Sequence, residues 1–281
     1  MSEDTPVHHV TTSHHSTLRD GLWFNGVALL RFWRASLAAE MEYRLNFLMA
    51  ALTSIGSFVG GLFLLSLFFR DDKESFGWSF AMACAVLGAF TLCSGFSRSV
   101  LTPNLSRIVN HVEHGTLDYF LLHPMDAQLQ LSFRQVSIWG IPDVFLGAGL
   151  LGYAAWHTHP SFSDVMLASF SMGCGLVILY GLWFSLASLS IWFVRVYNAA
   201  EVLRSLLEAG RLPLELYPTA WRIFLTYVVP VAFMTSVPAA AFVGRGSFAF
   251  VGGSLVAAMI CAVGSRLIWK LALRHYSSAS S

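Results

Sequence analysis

The chain is 281 residues long, 56% hydrophobic and only 12% charged, about half the charged fraction usual in a soluble domain. Its formal net charge of +1 argues against a nucleic-acid partner, which would call for a basic patch or stripe. Several charge-free runs reach the roughly 20 residues that a helix needs to cross the hydrocarbon while satisfying its own backbone, so the composition is that of a membrane protein.

Residues 1–20 are polar and carry the pairs His8, His9 and His14, His15. Two such pairs can catch a metal ion, but no acidic or cysteine partner accompanies them, and a disordered tail is the favoured reading. Residues 21–44 place Trp23, Phe24, Leu30 and Trp33 beside Arg31 and Arg34. Bulky aromatics among arginines, without an uninterrupted apolar run, predict a helix lying at the membrane interface. The first 44 residues hold no compact apolar core followed by a small-residue cleavage site, so no cleaved leader is expected.

Apolar runs then follow at Leu45–Phe69, Phe76–Ser97, Gln135–Trp156, Val165–Val194, Ile223–Gly244 and Gly246–Ser265. Six transmembrane helices in an all-α, polytopic fold are the expectation. With residues 1–44 inside, fourteen Lys and Arg residues lie near inner span ends, among them Arg98, Arg107, Arg134, Arg204, Arg211, Arg222 and Arg266. Only Arg70, Lys73 and Arg245 lie outside. That asymmetry puts both termini in the cytoplasm. Cys84, Cys93, Cys174 and Cys261 fall within the runs at no metal-ligand spacing and read as small apolar fillers.

The cytoplasmic loop at 101–128 carries two helix signals. Thr102 and Pro103 suit an N-cap and first helical position, with Leu105, Ile108, Val109 and Val112 at i, i+3, i+4 and i+7. Gly115 suits a left-handed terminus. Thr116 then suits the cap of a second short helix, with Asp118 at its positive end, Leu117, Phe120 and Leu121 on its apolar side, and Pro124 as its stop. Two amphipathic helices need an apolar cover. From the residues alone, lipid headgroups and another protein serve equally.

Within the runs, Asp143 follows Pro142. A buried carboxylate is a functional candidate on cost alone, for instance toward a cationic substrate on a translocation path; satisfaction by backbone groups freed at the proline, or by Arg134, is favoured. Arg98 and Arg134 read as topology anchors. Gly56 and Gly60 form a G-x-x-x-G pair that permits close helix approach, read as internal packing rather than a dimer interface.

Three stretches, in order, resemble the membrane subunits of ABC exporters of the second type (ABC-2 permeases), in a branch long known only as a domain of unknown function. They are "MEYRLNF" (Met41 to Phe47), "GTLDYFLLHP" (Gly115 to Pro124) and "RLPLELYPTAWRIFLTYVVPVAFMTSVPAAAFVG" (Arg211 to Gly244), and the resemblance covers most of residues 25–275. It implies a six-helix permease that pairs with a second permease subunit, as homo- or heterodimer, and with cytosolic ABC ATPase subunits. It also implies that the loop after the second span supplies the coupling helix that docks on the ATPase. Carried onto this chain, that helix comprises Gly115, Thr116, Leu117, Asp118, Leu121, Leu122 and Pro124, with Phe120 on its apolar side and Glu113 just outside the matched core. On this resemblance residues 1–20 are a cytoplasmic tail and 21–281 a single transmembrane domain, with an interfacial helix at 21–44.

The chain contains no G-x-x-x-x-G-K-[ST] phosphate loop. No cofactor of its own is expected; ATP and magnesium belong to the partner ATPase. The expected cargo is a hydrophobic, amphiphilic or cationic drug-like solute, exported from the bacterial inner membrane. A secondary transporter driven by an ion gradient is the alternative, although it calls for several intramembrane ionisable residues and a repeat. One topological choice stays open. Hydropathy makes Arg195–Arg222 a cytoplasmic amphipathic segment and Ile223–Gly244 a span; the resemblance makes Ile223–Gly244 a re-entrant pair after two spans within 165–209.

Overall fold

The computed structural model describes residues 32–38, 44–69, 77–122, 126–192 and 196–276. The histidine pairs, most of the 21–44 segment, His123 and Pro124 lie outside them. Among the described residues the chain is all α-helical, with no strand. Five helices are long and apolar enough to cross a membrane.

The first, α1, spans Arg44–Phe68. It leads to α2, Phe80–Phe96, which Ser79 caps by accepting the Met82 N–H. A π-helical turn, Ser97–Leu101, carries α2 straight into α3, Thr102–Glu113. The short helices α4, Leu117–Leu121, and α5, Ala127–Phe133, complete the loop. Then come α6, Ile141–Thr158, and α7, Phe162–Leu189. His159 closes α6 in the left-handed conformation, and Ser161 and Asp164 open α7 with reciprocal capping bonds. After α7 run α8, Val196–Glu208; α9, Thr219–Ile223; α10, Ser236–Phe242; and α11, Phe248–His275. The chain alternates direction, so α1 begins and α11 ends at the end that holds α3–α5, called the loop end; the opposite is the far end.

Thr102 is not an N-cap. It lies in helical conformation inside a continuous helix from Phe80 to Val112, with no side-chain capping bond. The π turn is the local answer to Pro103, which lacks an N–H and leaves the Ser99 carbonyl without its helical donor. Ser137 fills that vacancy, donating its N–H to Ser99 O at 2.8 Å. Nearby, the Asn104 amide donates to Gln135 O and accepts the Gln135 N–H. These bonds hold residues 134–137 outside the helix and delay α6 until Ile141, six residues later than hydropathy alone suggests.

The tightest helix pair is α2 against α6, and glycine makes it possible. Gly88 faces Gly147 and Gly95 faces Gly140; a Cβ on Gly147 would lie 2.9 Å from the Gly88 carbonyl oxygen, and one on Gly140 would overlap that of Gly95. Small residues allow such backbone approach. By contrast, a Cβ on Gly56 or Gly60 meets nothing within 4 Å, so the G-x-x-x-G pair does not serve internal packing. Only Gly61, against Leu87, packs inward. Helix α7 lies along α11, with Gly181 against the Cys261 backbone and Phe184 edge-on to Trp269.

Residues 196–245 decide the topology. Arg211 donates to the carbonyl and hydroxyl oxygens of Ser57 in α1 and lies over the Phe90 ring in α2, both mid-helix. Leu212 joins the cluster around Leu65 and Trp78 toward the far end. Glu215 and Arg222 then share a cavity with Arg245, which itself bonds to Gly77 O at the start of α2. Residues 196–218 therefore climb through the bundle and are not a segment lying at the loop end. The helical pieces Thr219–Val228 and Val231–Phe242 meet at 74° and start and finish at the far end, which makes them a re-entrant pair. Hydropathy failed here because α8 is short and the turn that follows it carries Arg211, which finds partners inside the bundle. The correction moves Arg222 to the far-end set of basic residues and takes Arg211 out of both sets.

Candidate functional site

The loop end is organised around α3 and α4. Gly115, at φ +65°, terminates α3 with a Schellman motif: Thr116 N–H donates to His111 O at 3.0 Å and Gly115 N–H to Val112 O at 3.3 Å. Thr116 stands at the N-cap position of α4, but its hydroxyl pairs with His111 Nδ1 at 2.8 Å and makes no capping bond. The sharp reversal turns α4 back against α3. Leu117 and Phe120 enter the main core with Leu105, Ile108, Leu131, Phe184 and Trp269.

The other side of α4 faces outward. Tyr119, Leu121 and Leu122 are exposed, Leu122 at 86%. Leu121 thus departs from the inward side assigned to it from spacing: it is the last residue of α4 and stays 39% exposed, outside the core that Leu117 and Phe120 enter. Tyr119 was missed; its position opposite Leu117 and Phe120 was the available signal. Asp118 sits in the first turn of α4 as expected. Glu113 ends α3, and its side chain lies outside the described residues.

A polar network that spacing did not disclose fixes the loop to the bundle. Asp126 caps α5 by accepting the Leu129 N–H and receives both terminal nitrogens of Arg266 in α11. Arg266 also donates to Gln128 Oε1 at 2.8 Å; Gln128 in turn donates to the Tyr180 hydroxyl of α7, which pairs with Ser132 as well. Burial raises the Asp126 pKa, but the Arg266 hydrogen bonds, the Leu129 N–H and the Arg266 charge outweigh it and hold the carboxyl below the usual range. The 32–38 helix docks on the same base, with Trp33 Nε1 donating to Phe133 O at 2.7 Å and Ser36 to Val136 O.

Asp143 stands in the first turn of α6, 4% exposed. Its partner is Arg98, not Arg134. Arg98 Nη1 lies 3.2 Å from Asp143 Oδ2 and donates to the Ser54 hydroxyl of α1 at 3.0 Å. Arg134 points elsewhere, over Phe120 and Phe32. The sequence places Arg98 and Asp143 on different helices, and only the α2–α6 register brings them together. Beside them Arg211 pairs with Glu208. A cavity of about 140 Å³ borders Arg98, Arg204, Glu208, Trp183 and Met234. A cation approaching Asp143 meets a carboxylate that is already countered.

No curated protein and no solved structure matches the chain. The sequence model of the ABC-2 family transporter proteins matches residues 55–280, a stretch containing all five long helices but the start of α1, the loop at 101–128 and the re-entrant pair. An all-α membrane protein with this span pattern and this match belongs to the ABC-2 transporter family, as a membrane component of transport.

Proposed function

We propose that this chain is the permease subunit of an ATP-driven exporter, forming the translocation path with a second permease subunit and coupling to separate cytosolic ATPase subunits. The observation that carries the reading is the division of α4. Leu117 and Phe120 are locked in the core, while Tyr119, Leu121 and above all Leu122 are exposed at the loop end. A patch of this kind is an interaction site on a segment too short to span. Because α4 is packed against α3, and its neighbour α5 is tied through Asp126 to α11, displacement of the knob moves helices rather than a loose loop, which is how a nucleotide-dependent groove would bias two bundle states.

The same reading puts the loop end in the cytoplasm of a bacterial inner membrane, following the basic residues gathered there. The cargo is a hydrophobic or amphiphilic solute; Asp143 is retained as a residue of the path, acting in company with Arg98. The test is gentle purification of the tagged chain. A soluble ATPase should accompany it, and Leu122→Asp should release that ATPase without altering the fold of the spans. Transport by the isolated chain, powered by an ion gradient alone, would overturn the assignment.

A further inference from the structure

A second polar feature of the loop end is independent of ATPase docking. A cavity of about 180 Å³ lies between α3, α4 and α5, lined by Asn104, Arg107, His111, Phe120, Leu131, Arg134 and Gln135. No acidic residue lines it. The Arg134 guanidinium makes cation–π contacts with two rings, 5.1 Å from the Phe32 centroid and 5.4 Å from that of Phe120. Among the described residues its N–H groups meet no acceptor. Arg107 likewise has no carboxylate partner among them. His111 uses Nδ1 on Thr116, which leaves its second ring nitrogen.

The cavity wall is set independently of any ligand. Asn104 uses its amide on Val100 O and on both backbone groups of Gln135, fixing α3 to the 134–137 segment. Two guanidinium groups beside one concave space repel each other, and an anion between them removes that repulsion while taking charge-assisted hydrogen bonds. A planar arginine clamped in place suits a phosphate group, because its fork is pre-oriented and little ordering remains to be done on binding. The position also fits. The pocket lies beside the 32–38 helix, where that helix docks on the loop end, and a basic cluster next to a spanning bundle is the kind of place where anionic headgroups are recognised.

We propose that this pocket binds a phosphate group, with Arg107 and Arg134 as its ligands and His111 beside them, supplied by an anionic lipid headgroup or by free phosphate. Through Phe120 and His111 the occupied pocket braces α4, so the ligand stiffens the segment next to the exposed knob.

The test uses the full chain purified in detergent and its thermal unfolding midpoint. Three probes are titrated: dihexanoyl phosphatidylglycerol, dihexanoyl glycerol without a phosphate, and inorganic phosphate. Phosphatidylglycerol should raise the midpoint of the wild type, and dihexanoyl glycerol should not. In R107Q/R134Q the half-maximal concentration should rise about tenfold or more, as expected for losing hydrogen bonds to a charged group. If inorganic phosphate gives the same arginine-dependent shift, the source is free phosphate; if only the lipid does, it is the headgroup. Should R107Q/R134Q fail to fold, R134K carries the test, since it keeps the charge but loses the planar fork and should weaken the response. The proposal falls if no phosphate compound shifts the wild type, if the variants respond as the wild type does, or if dihexanoyl glycerol matches the lipid. It also falls if R107E releases a bound ATPase while phosphate leaves the wild type unmoved, which would assign the cluster to an acidic protein surface.

Discussion

Arg98, in the π turn that follows α2, reaches within 3.2 Å of Asp143 at the start of α6 and holds Ser54 of α1 with the same nitrogen. One side chain thus gathers three helices around a buried carboxylate. Removing it leaves Asp143 uncompensated. Arg98→Ala should cost on the order of 2 kcal/mol, below the range for a fully buried pair because the Arg98 side chain is 37% exposed. The double variant Arg98→Ala with Asp143→Asn should recover part of the loss. Midpoints of the single and double variants measure this coupling; simple additivity would contradict it.

The two sides of α4 should separate stability from association. Phe120→Ala empties a core site and should cost about 3–5 kcal/mol. Leu122→Ala, at a bare position, should stay within about 0.5 kcal/mol. Thermal midpoints of both variants, set beside the amount of ATPase recovered with each, check the division. A large stability loss at Leu122 would contradict it.

The glycine contacts give a contrast within one protein. Gly95→Leu should force α2 from α6 and destabilise by about 1–3 kcal/mol or more, since a Cβ there already lies 2.8 Å from Val144. Gly56→Ala should be silent in the monomer, because open space surrounds it. Unfolding of the two variants in detergent provides the comparison.

Acid should act on the loop anchor. With its pKa lowered in the fold, Asp126 adds stability that is present above its unfolded value of about 3.9 and is lost as pH falls through the lower folded value. Arg266→Gln should remove the main cause of that depression. The wild type should therefore lose more stability than the variant as pH drops below about 4. Stability measured from neutral pH downward in both proteins tests the sign.

Much of this could be read from residue order, and the exceptions share a cause. Long apolar runs announce α1, α2, α6, α7 and α11 because a spanning helix needs little but length and greasiness. Gly115 announces the end of α3 because few residues accept its backbone angles. Pairings between distant segments were out of reach. Arg98 with Asp143, Arg266 with Asp126, and Gly88 with Gly147 depend on helix register, which one sequence does not encode locally. Hydropathy misread 196–222 because it scores arginine as water-seeking, while Arg211 has a serine, a carboxylate and a phenyl ring waiting inside the bundle. Residues 115–122 were legible as a turn and short helix, yet which side chains of α4 stay exposed was settled only by packing.

The missing N–H of Pro103 has a mechanical consequence. Because Ser137 takes over the orphaned Ser99 oxygen, the chain leaving through α2 and returning through α6 is stitched across its neck, and glycines seal the two rods along their length. A force applied to the loop cannot spread them like scissors. It tips the welded pair as one lever, so any gap in the bundle must open along the loosely held α1 or at the seam with α7.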